Sequence, residues 1–244
     1  MIANSPILHI ANFLYRKSYF TYRLLYRLYK AISDRNERYW IRQNLTEGMV
    51  VADIGANVGN YTEFMAKIVG NKCKVHAFEP DCKNFDYLKN LSLKYTNVYT
   101  YNCAISDKEE EIPFYISKYL NVDNRIYDDP SVLTESYKVN AKTLDSFFEP
   151  DQLNFIKMDI EGAEIFALEG GRILLEESQN LKILMEVWPY GLKKSGKHFK
   201  NLLNIIENAG YNYSFIGDSF SIEFAKEGKF DNDIGVYGNM IVYK

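Results

Sequence analysis

The sequence predicts an α/β fold, with a mainly parallel sheet flanked by helices and a helical N-terminal arm ahead of it. Two observations carry that prediction. From Met49 onward, short β-branched runs alternate with amphipathic stretches, the pattern of successive βα units. Before Met49, residues 6–45 are aromatic-rich and helical in pattern, without that alternation. A chain of 244 residues accommodates one large domain with a modest appendage. The expected division is an arm over 1–45 and a domain over 46–244.

In chain order, strands are expected near Met49–Ile54, Lys74–Glu79, Val98–Cys103, Asn154–Asp159 and Lys182–Val187. Helices are expected near Asn60–Val69, Lys83–Leu93, Ala163–Leu175 and Phe199–Asn208. Pro80 helps end the second strand, because proline cannot continue a ladder. Two late strands, near Tyr211–Gly217 and Val236–Tyr243, would close the sheet, and such strands often add an antiparallel edge. Residues 118–138 interrupt the rhythm: they are polar, irregular and longer than the roughly 2–6 residues of an αβ connection. They read as a substrate loop or lid, or else as a disordered insertion.

Hydrophobic residues at 47% and charged residues at 25% match a globular protein with a real core. The formal net charge of −3 argues against a global nucleic-acid binder. The charge is uneven, since residues 1–33 carry Arg16, Lys17, Arg23, Arg27 and Lys30 and no acidic side chain. Cys73, Cys82 and Cys103 are odd in number and not closely paired, which suits a reducing compartment. His9, His76 and His198 lie far apart and form no zinc-ligand cluster with the cysteines. The first residues lack a basic n-region and a cleavage site, so a cytoplasmic location is expected.

The sharpest local signal is VVADIGANVGNYTEF, residues 50–64. An apolar strand runs into Asp53, then Gly55, Ala56, Asn57 and Gly59, then a helical stretch containing Thr62. Glycines permit a tight strand-to-helix turn and a close approach of backbone to ligand. A second apolar strand ends at Glu79–Pro80, placing a carboxylate 26 residues after Asp53. That is near the roughly 20-residue spacing at which an acidic residue meets a ribose diol. A dinucleotide fingerprint wants glycine where Asn57 stands, and a carboxylate at Asp53 would repel a pyrophosphate. It suits a ligand with an ammonium and a sulfonium and no phosphate, namely S-adenosylmethionine. An NAD-dependent oxidoreductase is the disfavoured rival, and a plain βα turn the structural alternative.

On these residues the chain resembles the FkbM family of S-adenosylmethionine-dependent methyltransferases. The matching segments are DIGANVGNYT (53–62), AFEP (77–80), NCAISD (102–107), TLDSFF (143–148), FIKMDIEGAEIFALEGG (155–171) and ILMEVWP (183–189). The resemblance implies a Rossmann-like class I methyltransferase fold with a seven-stranded sheet. It implies cofactor contacts from Asp53, Gly55, Asn57 and Gly59, Glu79 on the ribose, and Asn102, Cys103 and Ala104 near the adenine. Ala56, Thr62 and Pro80 belong to the same segments. Its members often modify polysaccharides or secondary metabolites, which implies a glycan or other small-molecule acceptor. It does not cover the first 45 residues or the 118–138 loop.

Methyl transfer from a sulfonium is an in-line displacement, so an enzyme must mainly align the nucleophile and manage one proton. A hydroxyl nucleophile needs a base or a metal within hydrogen-bond reach. Asp159, Glu161 and Glu164 lie at the expected carboxyl end of a central strand, and Glu186 ends the next. That edge is where open α/β sheets bind ligands. Asp159 is the first choice for general base, with Glu161 and Glu186 orienting hydroxyls or meeting the cofactor's methionine end. The same carboxylates could instead hold Mg²⁺. The structural alternative is that Asp159 accepts from the next helix and that Glu161 and Glu164 are first-turn acids. His198 is either another base or a surface histidine. N-methylation of an amino sugar and a non-catalytic binding module are the remaining rivals to O-methylation.

At roughly 100° per residue, residues 13–32 separate into three stripes. Phe13, Leu14, Phe20, Leu24, Leu25, Leu28, Ala31 and Ile32 form an apolar face that Lys17 interrupts; Tyr15, Tyr19, Tyr22, Tyr26 and Tyr29 form an edge. Arg16, Arg23, Arg27 and Lys30 fill a basic strip. Such a helix packs on the domain or on a second copy, lies on the inner face of a membrane, or meets an anionic or carbohydrate-bearing partner through its tyrosines and arginines.

Overall fold

The computed structural model describes residues 25, 29, 30, 32–117, 124–130, 134–217 and 220–244. The three stripes over 13–32 therefore lie outside the described residues, apart from Leu25, Tyr29, Lys30 and Ile32.

The main sheet has seven strands: β1 (Val51–Ile54), β2 (Val75–Phe78), β3 (Val98–Tyr101), β7 (Phe155–Met158), β8 (Lys182–Val187), β9 (Asn212–Phe215) and β10 (Gly238–Tyr243). They run in the order β3-β2-β1-β7-β8-β10-β9. All pairs from β3 to β8 are parallel, and β10 is antiparallel to both neighbours. The α/β architecture with a mainly parallel sheet is thus as expected. The antiparallel strand is not the edge, however: β9 lies outside it. The long crossover after β8 carries the chain one strand-width too far, and β10 returns to fill the gap.

Period-two alternation sorts the sheet into two faces. Val51, Phe155, Leu184 and Ile241 share one core cluster with Ile41, Met65, Leu88 and Leu91. That face is covered by α1 (Arg35–Asn44), α2 (Asn60–Val69) and α3 (Cys82–Lys94). Ala52, Ile156, Met185 and Val242 point the other way, into a cluster with Ile165, Leu174 and Leu202. Those come from α4 (Glu164–Glu169), α5 (Arg172–Glu177) and α7 (Phe199–Asn208). Trp40 of α1 sits 5.8 Å from the Phe155 ring, so the end of the expected arm is part of the core.

Two expectations are corrected. The single helix over Ala163–Leu175 is two, α4 and α5, broken at Gly170–Gly171. A Cβ at Gly170 would overlap the Ser106 carbonyl oxygen, so this glycine is there for close packing rather than helix continuity. The irregular segment 118–138 is partly regular. A second sheet, β4-β6-β5, is formed by β4 (Ala104–Ile105), β5 (Glu111–Ser117) and β6 (Thr134–Lys142), so residues 134–138 are strand. Its pattern was obscured because, among the described residues, few buried apolar side chains, Ala104, Phe114 and Val139, make its small core, and β6 is mostly polar. Two short helices, α6 (Pro189–Lys194) and α8 (Ile222–Lys226), complete the described elements. No helix among the described residues is long and apolar enough to cross a membrane.

Candidate active site

The turn after β1 builds the first wall. Gly55 has φ +79, and a Cβ there would overlap the Asp159 carbonyl oxygen, so only glycine fits. The N–H groups of Gly55 and Ala56 donate to the Phe78 carbonyl at 3.1 and 3.0 Å, tying the turn to β2. Asn57 is also left-handed, at φ +50, and its N–H donates to Glu79 Oε2 at 2.8 Å. Glu79 Oε1 accepts from the Asp81 N–H at 2.9 Å, so one buried carboxylate holds both loops. Burial pushes Glu79 up to about 8 in spite of those two bonds.

Asp53 is buried beneath the turn and accepts from the Thr62 hydroxyl at 2.5 Å. Burial pushes Asp53 up to about 6, against the opposing pull of Thr62 and Lys157. Lys157 is its register partner on β7, on the same face of the sheet. The Lys157 ammonium lies 3.7 Å from Asp159 Oδ2 and 5.2 Å from the Tyr61 ring centroid.

These groups border a small cleft, partly open to solvent. Asp53, Gly55, Ala56, Asn57 and Asp159 line it, as do Lys30, Asn60, Tyr61 and Lys157, four residues without an expected place in the site. Two carboxylates and two ammonium groups thus share one cleft. Asn60 Nδ2 is buried and has no hydrogen-bond partner among the described residues. This donor and acceptor set fits a zwitterionic, phosphate-free ligand such as the amino-acid end of S-adenosylmethionine. A pyrophosphate would face Asp53 directly.

The other expected cofactor residues are placed differently. Gly59 faces away from the cleft, where a Cβ would overlap Leu91 of α3. Thr62 sits behind Asp53 and orients it. Asn102 Nδ2 donates to the carbonyls of Glu79 and Pro80, at 2.9 and 3.1 Å, so it braces that loop. Cys103 is buried in the main core, and burial pushes its thiol up to about 12. Ala104 lies in the small sheet's core. Cys103 and Ala104 offer side chains to packing.

The acidic edge lies beside the cleft. Asp159 follows β7, and its N–H donates to the Ile54 carbonyl at 3.0 Å. Glu161 has φ +53, a costly conformation for a side chain larger than glycine or asparagine. The Tyr127 hydroxyl holds it there by donating to the Glu161 carbonyl at 2.6 Å. Burial holds Glu161 well above the usual carboxylate range, reinforced by Asp159 and Glu186 and opposed by Arg125. Burial likewise pushes Glu186 up to about 8, with Asp159 adding and Lys157 and Lys30 opposing. Glu164 takes the bland role: its Oε1 accepts from the Gly162 N–H at 3.1 Å, a local brace at the start of α4.

Residues 124–130 lie over this edge. Arg125 is fully buried and pairs with the buried Asp129 at 3.3 Å; Asp129 also meets Lys194 and Tyr190, both at 3.1 Å. A lysine inside an otherwise apolar central strand, Lys157 in FIKM, was a visible signal of function. Arg125 and Tyr127 gave none, because their value depends on where their loop docks. His198 is exposed at the start of α7, 3.6 Å from Asp231, and belongs to the surface. Among the described residues, no three His, Cys, Asp or Glu side chains are grouped to hold a metal ion, so the Mg²⁺ alternative gains no support.

A family model described as a methyltransferase FkbM domain matches residues 53–213. No protein of curated function matches the chain. Among solved structures, it is similar to the methyltransferase FkbM of Methylobacillus flagellatus KT, at 20% identity and a TM-score of 0.53. That match covers 82% of this chain but 44% of the other, so this chain spans less than half the length of that protein. A Clostridium thermocellum protein described as an rRNA-methylase matches at 12% identity and a TM-score of 0.52, covering 85% of this chain and 93% of its own. A Streptococcus mutans protein described as a methyltransferase, solved with S-adenosylhomocysteine, matches at 13% identity and a TM-score of 0.50, covering 87% and 97%. At these identities the likeness shows the fold, that of the class I methyltransferases. With well over half of its length matched by the family model, the chain belongs to the FkbM methyltransferase domain family.

Proposed function

We propose that the chain is an S-adenosylmethionine-dependent O-methyltransferase acting on a hydroxyl of a glycan or other small molecule. The observation that carries this reading is the junction of the zwitterion-lined cleft with the acidic edge, which meet at Asp159. When bound, S-adenosylmethionine supplies an already activated methyl group. Asp53 would hold its ammonium, and the Asn57–Glu79 bridge would shape the ribose end. Asp159 would accept the hydroxyl proton at its carboxylate, while Glu161 and Glu186 orient the acceptor. Residues 124–130, pinned by the Arg125–Asp129 pair, would roof the acceptor and exclude water.

A second reading has its own observation. An ammonium would relieve the repulsion from Asp159 that helps raise Glu161 and Glu186, so an amino sugar is the nearest rival acceptor.

The test has two stages. Calorimetric titration with S-adenosylhomocysteine, with NAD as control, should give micromolar binding of the former alone. Mass spectrometry should then find one added methyl group on a neutral sugar from an acceptor panel. Binding of NAD but not S-adenosylhomocysteine would overturn the cofactor, and methylation confined to amino sugars would overturn the acceptor class.

A further inference from the structure

Lys30 comes from the segment ahead of α1, far in sequence from the turn, yet it lines the same cleft as Asp53 and Asp159. Its ammonium pairs with Asp34 at 2.8 Å, and Asp34 in turn accepts from the Tyr61 hydroxyl at 2.9 Å. Tyr61 belongs to α2 and also lines the cleft, so this chain of contacts fastens the segment to the cleft wall. On the same wall stand the Lys157 ammonium, only 4% exposed, and the buried Asn60 Nδ2 that lacks a partner among the described residues. Two cations and an idle amide donor converge where Asp53 supplies the matching carboxylate.

We infer that Lys30, Lys157 and Asn60 together receive the α-carboxylate of the bound cofactor, so that the N-terminal segment completes the cofactor site. This rests on the cofactor reading above and adds which groups take its amino-acid end. The chemistry is that of charge-assisted hydrogen bonds, which are shorter and stronger than neutral ones. Lys30 and Lys157 each keep a carboxylate neighbour, Asp34 at 2.8 Å and Asp159 at 3.7 Å, and an ammonium has donors enough to serve a second acceptor. A carboxylate between them would also satisfy the Asn60 donor. The basic strip of the arm thereby has a role at its last member that is independent of any membrane or second copy.

The experiment uses two probes with the purified full chain. S-adenosylhomocysteine carries the amino-acid end, and 5′-methylthioadenosine has the same adenosine and thioether without it. Calorimetry should show that Lys30→Met weakens S-adenosylhomocysteine by roughly tenfold or more, the scale of one charge-assisted hydrogen bond. Binding of 5′-methylthioadenosine should change by less than about twofold, and Lys30→Arg should restore most of the loss. Asn60→Ala should follow the same selective pattern more weakly. Equal weakening of both probes would mean that Lys30 only holds the wall together, and would overturn the inference. Unchanged binding of S-adenosylhomocysteine would overturn it too. If neither probe binds the unaltered chain, the cofactor reading itself fails, a result distinct from both.

Discussion

At the scale of single residues, Asp159 and Glu161 stand close in sequence but differ in what holds them. Asp159 faces Lys157 and the cleft; Glu161 is fixed by a strained backbone and by Tyr127. Asp159→Asn should therefore keep S-adenosylhomocysteine binding and lose turnover by about 10²-fold or more. Near-normal turnover would remove Asp159 from the base role. At Glu161 the left-handed backbone discriminates by shape: Glu161→Asn should fold normally, whereas Glu161→Val should lower stability by about 1–3 kcal/mol in urea unfolding. Titration gives a further residue-scale expectation. Burial holds Asp53, Glu164 and Glu186 above the ordinary carboxylate range, at about 6, 7 and 8. A carboxyl with a raised native pKa binds more protons folded than unfolded, so its contribution is lost as pH rises through that value. The melting temperature of the ligand-free protein should fall between about pH 5 and pH 8, by roughly 2–4 °C for each kcal/mol lost. Glu186→Gln should flatten the upper part of that fall, and a steady rise over the window would contradict it.

Elements set the precision of the site. The β1–α2 turn has no freedom at Gly55, where both the positive φ and the Asp159 carbonyl forbid a side chain. Gly55→Ala should cost about 1–3 kcal/mol and weaken S-adenosylhomocysteine binding together with stability. The 124–130 segment depends instead on a buried charge network. Asp129→Ala would leave Arg125 and Lys194 without their shared acid, a loss of about 3–5 kcal/mol by the behaviour of broken buried pairs. Limited proteolysis should then cut within 124–130 faster than in the unaltered protein, and equal rates would mean the network does not pin this segment. These two elements differed in legibility. The turn was readable because glycine spacing and the strand before it are local; the docking of 124–130 was not, because Asp129 meets Tyr190 and Lys194 only in the folded edge.

Across the whole molecule, strand order brings the chemistry together. Asp53 and Lys157 are more than a hundred residues apart in sequence and adjacent in the sheet, because β1 and β7 are neighbours. Glu186 and Asn239 pair in register between β8 and β10, and Asn239 Nδ2 donates to Glu37 of α1. The N-terminal segment is thus tied to the carboxyl edge at several points. Binding of the cofactor should stabilise this arrangement globally. At a ligand concentration 100 times the dissociation constant, S-adenosylhomocysteine should add about 2.7 kcal/mol to stability, read as a rise in melting temperature.

The sequence by itself determined the α/β class, the glycine turn with Asp53 and Gly55, the acidic edge at Asp159, Glu161 and Glu186, and the family. Those features are written in short windows: alternation with period two, glycines in a turn, an acid at a strand end. Only the tertiary structure decided that Gly59 serves packing, that Thr62 orients Asp53, and that Cys103 and Ala104 are buried. It alone brought Lys30 and Lys157 to one cleft and Arg125 toward Glu161. The reason is physical: a local pattern fixes what an element is and which face it buries, but which distant side chains meet is set by strand order and packing.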